Sequence, residues 1–179
     1  MPTIQRTTTD KMNKATTRRS TTNKSTGRAT GKAKDAIKLL SDDHKKVKKL
    51  FKEYEKLIKK NDAEAKEEMA QQICEELTIH TQLEEEIFYP AAREAIKNNL
   101  LMNEATVEHG SAKELISELE SMKTSDPMYD AVVIVLGEYV NHHIKEEEEE
   151  IFPKVRKSKM DLQEIGSEIA ERKEDMKRG

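Results

Sequence analysis

From residue 34 onward, apolar side chains recur every three or four positions, the period of a helix with one face turned inward. Ile37, Leu40, Val47, Phe51, Tyr54 and Ile58 trace such a face over about 34–60. Asn61-Asp62 reads as a turn and cap, after which Met69, Ile73, Leu77, Ile87 and Ala91 trace a second face over about 62–96. Pro90 is expected to bend or tighten that helix near its end. Beyond the Asn98-Asn99 break, Met102, Ala105, Ala112, Ile116 and Leu119 line a third helix that ends near Lys123. Thr124-Ser125-Asp126-Pro127 is a loop and start signal, with the proline suited to the first helical turn. Val132, Leu136, Tyr139, Val140 and Ile151 then describe a fourth helix, stopping around Pro153 to Lys157. Leu162, Ile165, Ile169 and Met176 predict a short final helix. Short connections force antiparallel neighbours. The expected fold is therefore all-α: an antiparallel up-down four-helix bundle over 34–157, with 158–179 as a C-terminal helix packed on it.

Residues 1–33 break this pattern. They hold eight Lys/Arg against only Asp10, giving +7 within a chain whose net charge is -3, so the remainder carries -10. The segment is threonine-rich and almost free of large apolar residues, and cannot bury enough surface to offset ordering entropy. It is expected to be a disordered basic tail. Solvation is its simplest role, weak attraction to nucleic acid through phosphate neutralisation the next, and a transit peptide a third. Against that third role, Ile4, Met12 and Ala15 are too few for an apolar face. Six glycines and four prolines make the chain too turn-poor for a sandwich. No run approaches the roughly 18 apolar residues of a spanning helix, and no signal-like apolar segment follows the N-terminal charges. With a single cysteine, Cys74, and no cysteine cluster for zinc, a reducing cytoplasmic setting is expected.

The chemistry lies where the apolar stripes are interrupted. His44 falls between Leu40 and Val47, His80 between Leu77 and Ile87, His109 between Ala105 and Ala112, and His143 four residues after Tyr139. That is one inward histidine per helix, and a buried imidazole is costly unless it is hydrogen-bonded or ligated. His80 and His143 are each followed at i+4 by glutamate, Glu84 and Glu147, which stacks ring and carboxylate on one face. Two buried carboxylates resist ionising together unless a strong positive charge holds them. Four imidazoles and two carboxylates exceed a four-coordinate zinc site but suit two first-row ions bridged by carboxylates in a bundle core. Two iron ions are the expected cofactor, with manganese the second choice. The acidic run 146–150 leaves one ambiguity, since a local bulge in the fourth helix would present Glu148 instead of Glu147.

His142 falls on the opposite face with Glu138, Glu146 and Glu149, and is expected to be exposed or to support the site from outside. Phe51, Phe88 and Phe152 are expected to pack in the core around the centre, and Tyr139, one turn before His143, is a structural residue that could also reach a bound ligand. Cys74 is out of phase with His80 and is assigned no chemistry.

The segments DDHKKVKKLFKEYEKL, HTQLEEEIFYPAAR, EHGSAKELISEL and NHHIKEEEEEIFPKVRK together resemble the hemerythrin HHE cation-binding family in motif order, spacing and the IFYP/IFP endings. The resemblance spans about 34–157 and implies a four-helix bundle with a non-haem di-iron centre, matching His44, His80, Glu84, His109, His143 and Glu147. One departure stands out. Oxygen-carrying hemerythrins place two histidines one turn apart on the third helix, whereas the position four after His109 is Lys113. The missing imidazole leaves room for water, a carboxylate or Tyr139, and brings peroxide or nitric oxide chemistry level with oxygen carriage.

Three functions follow. The leading one is a di-iron protein that binds or reacts with oxygen, peroxide or nitric oxide in sensing or stress protection, with a catalase-like or peroxide-reducing activity as its enzymatic form. The second is an iron storage or sensing module without turnover, coupled to a partner or nucleic acid through the tail. The third is a purely structural bundle with incidental histidines.

Overall fold

The computed structural model describes residues 35–60 and 62–178; the basic tail expected over 1–33 lies outside them. Among the described residues every regular element is helical. Helix α1 spans Ala36–Lys60, α2 Ala63–Leu83, α3 Tyr89–Ile96, α4 Asn99–Ser121, α5 Tyr129–Glu146, α6 Phe152–Arg156 and α7 Leu162–Met176. One π-helical turn, Glu84–Phe88, joins α2 to α3, and another, Glu147–Ile151, joins α5 to α6. Backbone angles stay right-handed through both joins, so each pair runs on as one helix. No described helix is long and apolar enough to cross a membrane.

Local chemistry sets the ends. The Asp62 carboxylate accepts from Ala65 N–H, Asn98 Oδ1 from Leu101 N–H, and Asp161 from Gln163 and Glu164 N–H, satisfying donors that have no partner within a first turn. Lys97 leaves α3 in the left-handed region, φ 51°, which allows the chain to reverse before Asn98. Pro127 sits in a turn just ahead of α5 instead of within its first turn. The Asp126 amide donates to the Lys123 carbonyl at 2.8 Å and its carboxylate accepts from Met128 N–H at 2.9 Å, closing that turn first.

The π turns have a common cause. Pro90 and Pro153 each lack an N–H, and in an unbroken α-helix each ring would clash with the carbonyl four residues back, Glu86 or Glu149. The helix widens by one residue to relieve this, so Tyr89 N–H donates to Glu84 O and Phe152 N–H to Glu147 O, each reaching back five residues. Pro90 therefore widens its helix, where sequence reasoning expected bending or tightening. The extra residue also shifts the buried stripe. Phe88, Tyr89 and Ala92 are buried, while the expected Ile87 and Ala91 are only partly covered.

Apolar side chains form two clusters. Val47, Phe51, Tyr54, Ile73, Leu77, Ile116, Leu136 and Val140 belong to one. Leu40, Leu83, Phe88, Met102, Ala105, Ile151 and Phe152 belong to the other. Each large side chain fully buried this way contributes roughly 1.5–3 kcal/mol. At Gly137 the helices close tightly, because a Cβ there would lie 3.0 Å from Phe51 Cδ1. Tyr139, expected on this inner face, is 50% exposed instead. Helix α7 buries Ile169 and ties itself to α1 and the first π turn through Lys173–Asp43 and Arg172–Glu86 ion pairs.

Candidate metal centre

Each helix that crosses from one apolar cluster to the other carries a histidine at the crossing. His44 lies between Leu40 and Val47, His80 between Leu77 and Leu83, His109 between Ala105 and Ala112, and His143 between Val140 and Ile151. All four are buried, and Glu84 and Glu147 are fully so, both at 0% exposure. A polar layer is thus sealed between two apolar ones, where water cannot satisfy it.

The outer nitrogens are held from outside. His44 Nδ1 lies 3.0 Å from Glu148, His109 Nδ1 3.0 Å from Glu85, and His143 Nδ1 2.8 Å from Glu108. An ionised carboxylate only accepts, so these Nδ1 atoms carry protons and donate, which turns each Nε2 inward. His80 differs, since Asp43 stands 3.8 Å from its Nδ1, beyond hydrogen-bonding range.

Inside, acceptors crowd together. Glu84 Oε2 lies 3.2 Å from His80 Nε2 and 3.3 Å from His109 Nε2. Glu147 Oε2 lies 3.2 Å from His44 Nε2 and 3.5 Å from His143 Nε2. His109 and His143 bring their Nε2 atoms within 3.0 Å of each other. The Tyr89 hydroxyl is 3.0 Å from Glu147 Oε1, 3.1 Å from His109 Nε2 and 3.4 Å from His143 Nε2, and its single proton serves one acceptor at a time. His44 Nε2, His80 Nε2, both Glu84 oxygens and Glu147 Oε2 have no hydrogen-bond partner. Buried lone pairs facing one another call for positive charge among them.

The electrostatics agree. Burial and the neighbouring Glu147 hold the Glu84 carboxyl well above its usual range. Burial also works against ionising Glu147, yet His143 and His44 outweigh it and hold that carboxyl low. Burial pushes His80 down, and burial with the His143 charge pushes His109 down to about 4, so both rings stay neutral and keep lone pairs available. Burial opposes protonation of His143 too, but Glu147 and Glu108 raise it.

Two donor groups result. His44, His80, Glu84 and Glu147 present atoms within 4.8 Å of one another, as do Glu84, His109 and His143. Glu84 is common to both. The donor set of imidazole nitrogens and carboxylate oxygens fits first-row transition ions. Of the six residues singled out from the sequence, all converge here. In the acidic run it is Glu147 that turns into the core, while Glu148 is partly exposed and grips His44 from outside.

Sequence reasoning overlooked Tyr89. It looked to Tyr139, which lies at the rim, because an unbroken α-helix sets Tyr89 apart from Glu84. The five-residue reach of the π turn stacks them instead, and the IFYP/IFP endings before the two prolines were the signal. Lys113, at the position of the absent imidazole, turns outward to Glu85.

The two halves of the chain repeat one scheme. His44 and His109 correspond, as do His80 and His143, Glu84 and Glu147, and Glu85 and Glu148. Tyr89 stacks on His109 with ring centroids 5.2 Å apart, and Phe152 in the matching position stacks on His44 at 5.7 Å.

A family model for the hemerythrin HHE cation binding domain matches residues 35–155. A curated relative from Nostoc sp. described as a DNA nickase is 32% identical over 114 residues, which is 64% of this chain and 31% of that protein. The chain therefore aligns with about a third of that relative. A crystal structure of a hemerythrin HHE cation binding domain-containing protein from Mycobacterium kansasii has a similar fold, with TM-score 0.68 and 23% identity over 81% of this chain and 88% of that one.

Proposed function

Because this chain belongs to the hemerythrin HHE cation-binding domain family, we propose that its buried centre holds two iron ions and binds or reacts with oxygen, peroxide or nitric oxide, in sensing or stress protection. Such ions would supply Lewis acidity and one-electron chemistry toward a small ligand. His44, His80, Glu84 and Glu147 would hold one of them, and His109, His143 and Glu84 the other, with Glu84 between. The scaffold is read as an antiparallel up-down four-helix bundle over 34–157. Support comes from the order of the apolar clusters, which alternates along α1, α2, α4 and α5.

The observation that carries this reading is the set of five buried, inward-facing atoms on His44, His80, Glu84 and Glu147 that have no hydrogen-bond partner. The outer carboxylates Glu85, Glu108 and Glu148 fix the rings so that Nε2 points inward. Phe88 and Phe152 keep water out. Tyr89 is the buried proton donor, placed to hydrogen-bond a ligand on the His109 and His143 side.

Metal analysis of freshly purified protein is expected to give about two irons per chain, with optical bands that change on adding oxygen, peroxide or nitric oxide. Tyr89→Phe is expected to keep both irons while slowing reaction with peroxide about 10–100-fold, the usual scale for losing a hydrogen-bond partner of a metal site. Full-length protein without iron, or a Tyr89→Phe rate equal to wild type, would count against this reading.

A second reading, an iron-storing or sensing module coupled to nucleic acid, is favoured by the +7 charge of residues 1–33 and by the relative described as a DNA nickase. Replacing the eight tail Lys/Arg by Gln is then expected to flatten the dependence of DNA affinity on salt, by up to about 7 in the log–log slope. An unchanged slope would exclude the tail as the binding element.

A further inference from the structure

Outside the buried centre, one more group of metal-type donors assembles on the surface among the described residues. His142 and Glu146 lie one turn apart on α5, and Glu108 faces them from α4. His142 Nε2 is 3.2 Å from Glu146 Oε1 and 3.4 Å from Glu108 Oε1. Two donors each about 2.1 Å from an ion at a tetrahedral angle stand about 3.4 Å apart, so these spacings suit a shared ion. The imidazole is 65% exposed, which leaves open positions for water and for arrival from solvent.

The matching position in the first half sharpens the point. There Asp43, just before His44, is met by the fixed cation Lys173 from α7. Glu108, just before His109, meets no lysine among the described residues. It meets an imidazole and, through it, a second carboxylate. Two carboxylates and one imidazole remain net negative even with the ring protonated. The other oxygen of Glu108 accepts from His143 Nδ1 at 2.8 Å, and Glu108, Tyr139 and His143 all line the same cavity beside the centre.

We propose that Glu108, His142 and Glu146 form a surface site for one divalent first-row cation, linked to the buried centre through the shared Glu108 carboxylate. The cation takes the place that Lys173 fills beside Asp43. It draws charge from Glu108, so its binding is felt at the His143 Nδ1–H. The link to the centre rests on the function proposed above; the surface site itself does not.

Equilibrium dialysis of the full-length chain against Zn2+, diamagnetic and suited to imidazole and carboxylate donors, tests the proposal. Wild type is expected to hold three Zn2+ ions, whereas His142→Ala and Glu146→Gln each hold two, with the third ion weakened at least about tenfold. The His143 Nδ1–H resonance is expected to shift as the third equivalent binds in wild type and to stay still in His142→Ala. Equal stoichiometry in wild type and both variants overturns the surface site, and a silent His143 resonance overturns the link. If wild type holds one Zn2+ that His142→Ala removes, the surface site stands and the buried centre fails.

Discussion

Stripping the metal with a strong chelator is expected to lower the thermal midpoint by roughly 15–30 °C. A ligand that binds only the folded state adds about 4 kcal/mol at a thousandfold excess over its dissociation constant, hence about 8 kcal/mol for two ions. A chain of this size moves about 2–4 °C per kcal/mol. The geometry gives the reason why ions bound there would hold so much of the stability. Without them the protein must keep five unpartnered inward atoms on His44, His80, Glu84 and Glu147 in an apolar sandwich, and it must hold Glu84 neutral beside Glu147. Calorimetry before and after chelation, with iron added back, checks this. A midpoint that moves by less than about 3 °C would show that the polar layer is satisfied without cations.

Glu84→Gln is expected to act in opposite directions on the two states. In the loaded protein it removes the one donor common to both groups, so binding of both ions falls by more than about 100-fold, beyond what loss of an outer partner brings. In the metal-free protein it replaces a carboxyl that burial and Glu147 already hold un-ionised with a neutral amide of the same shape. The sign follows from the direction of the shift. A carboxyl raised in the folded state weakens folding at any pH above its unfolded value, and the amide lifts that penalty. Metal-free Glu84→Gln should therefore melt at or slightly above wild type, while the iron-supplemented variant melts well below it. Glu148→Gln gives the contrast, since Glu148 only steadies His44 from outside: about 10–100-fold weaker binding with both ions still taken up. Should Glu84→Gln and Glu148→Gln behave alike, the distinction between inner and outer carboxylates drawn here would be lost.

Much of this was legible from periodicity. Leu40, Val47, Leu77, Ala105, Ala112 and Leu136 are buried where the stripes placed them, and the histidines that interrupt those stripes meet as their phase required. Straight-helix reasoning failed beyond Glu84, because it assumes 3.6 residues per turn and the turn before Pro90 is wider, whereas Ile151 and Phe152 are buried as expected. Ile87 and Ala91 gave way to Tyr89 and Ala92 for that reason, while Phe88 is buried as expected. Tyr139 failed differently: a tyrosine is amphipathic, and an apolar stripe does not say whether its ring stops at the rim. The outer carboxylates Glu85 and Glu108 were hidden because their roles are defined across helices, and no spacing along one helix records that.

The correspondence between the halves ends at one oxygen atom. Phe152 closes its side of the centre with carbon alone, whereas Tyr89 offers a hydroxyl, so two positions built from the same plan are chemically inequivalent. A pair of identical metals placed there would acquire a polarity from the protein: one flank is inert, and the other can offer a hydrogen bond. A guest molecule entering this chamber would therefore find a directionality that neither the metals nor the duplicated scaffold supplies by itself.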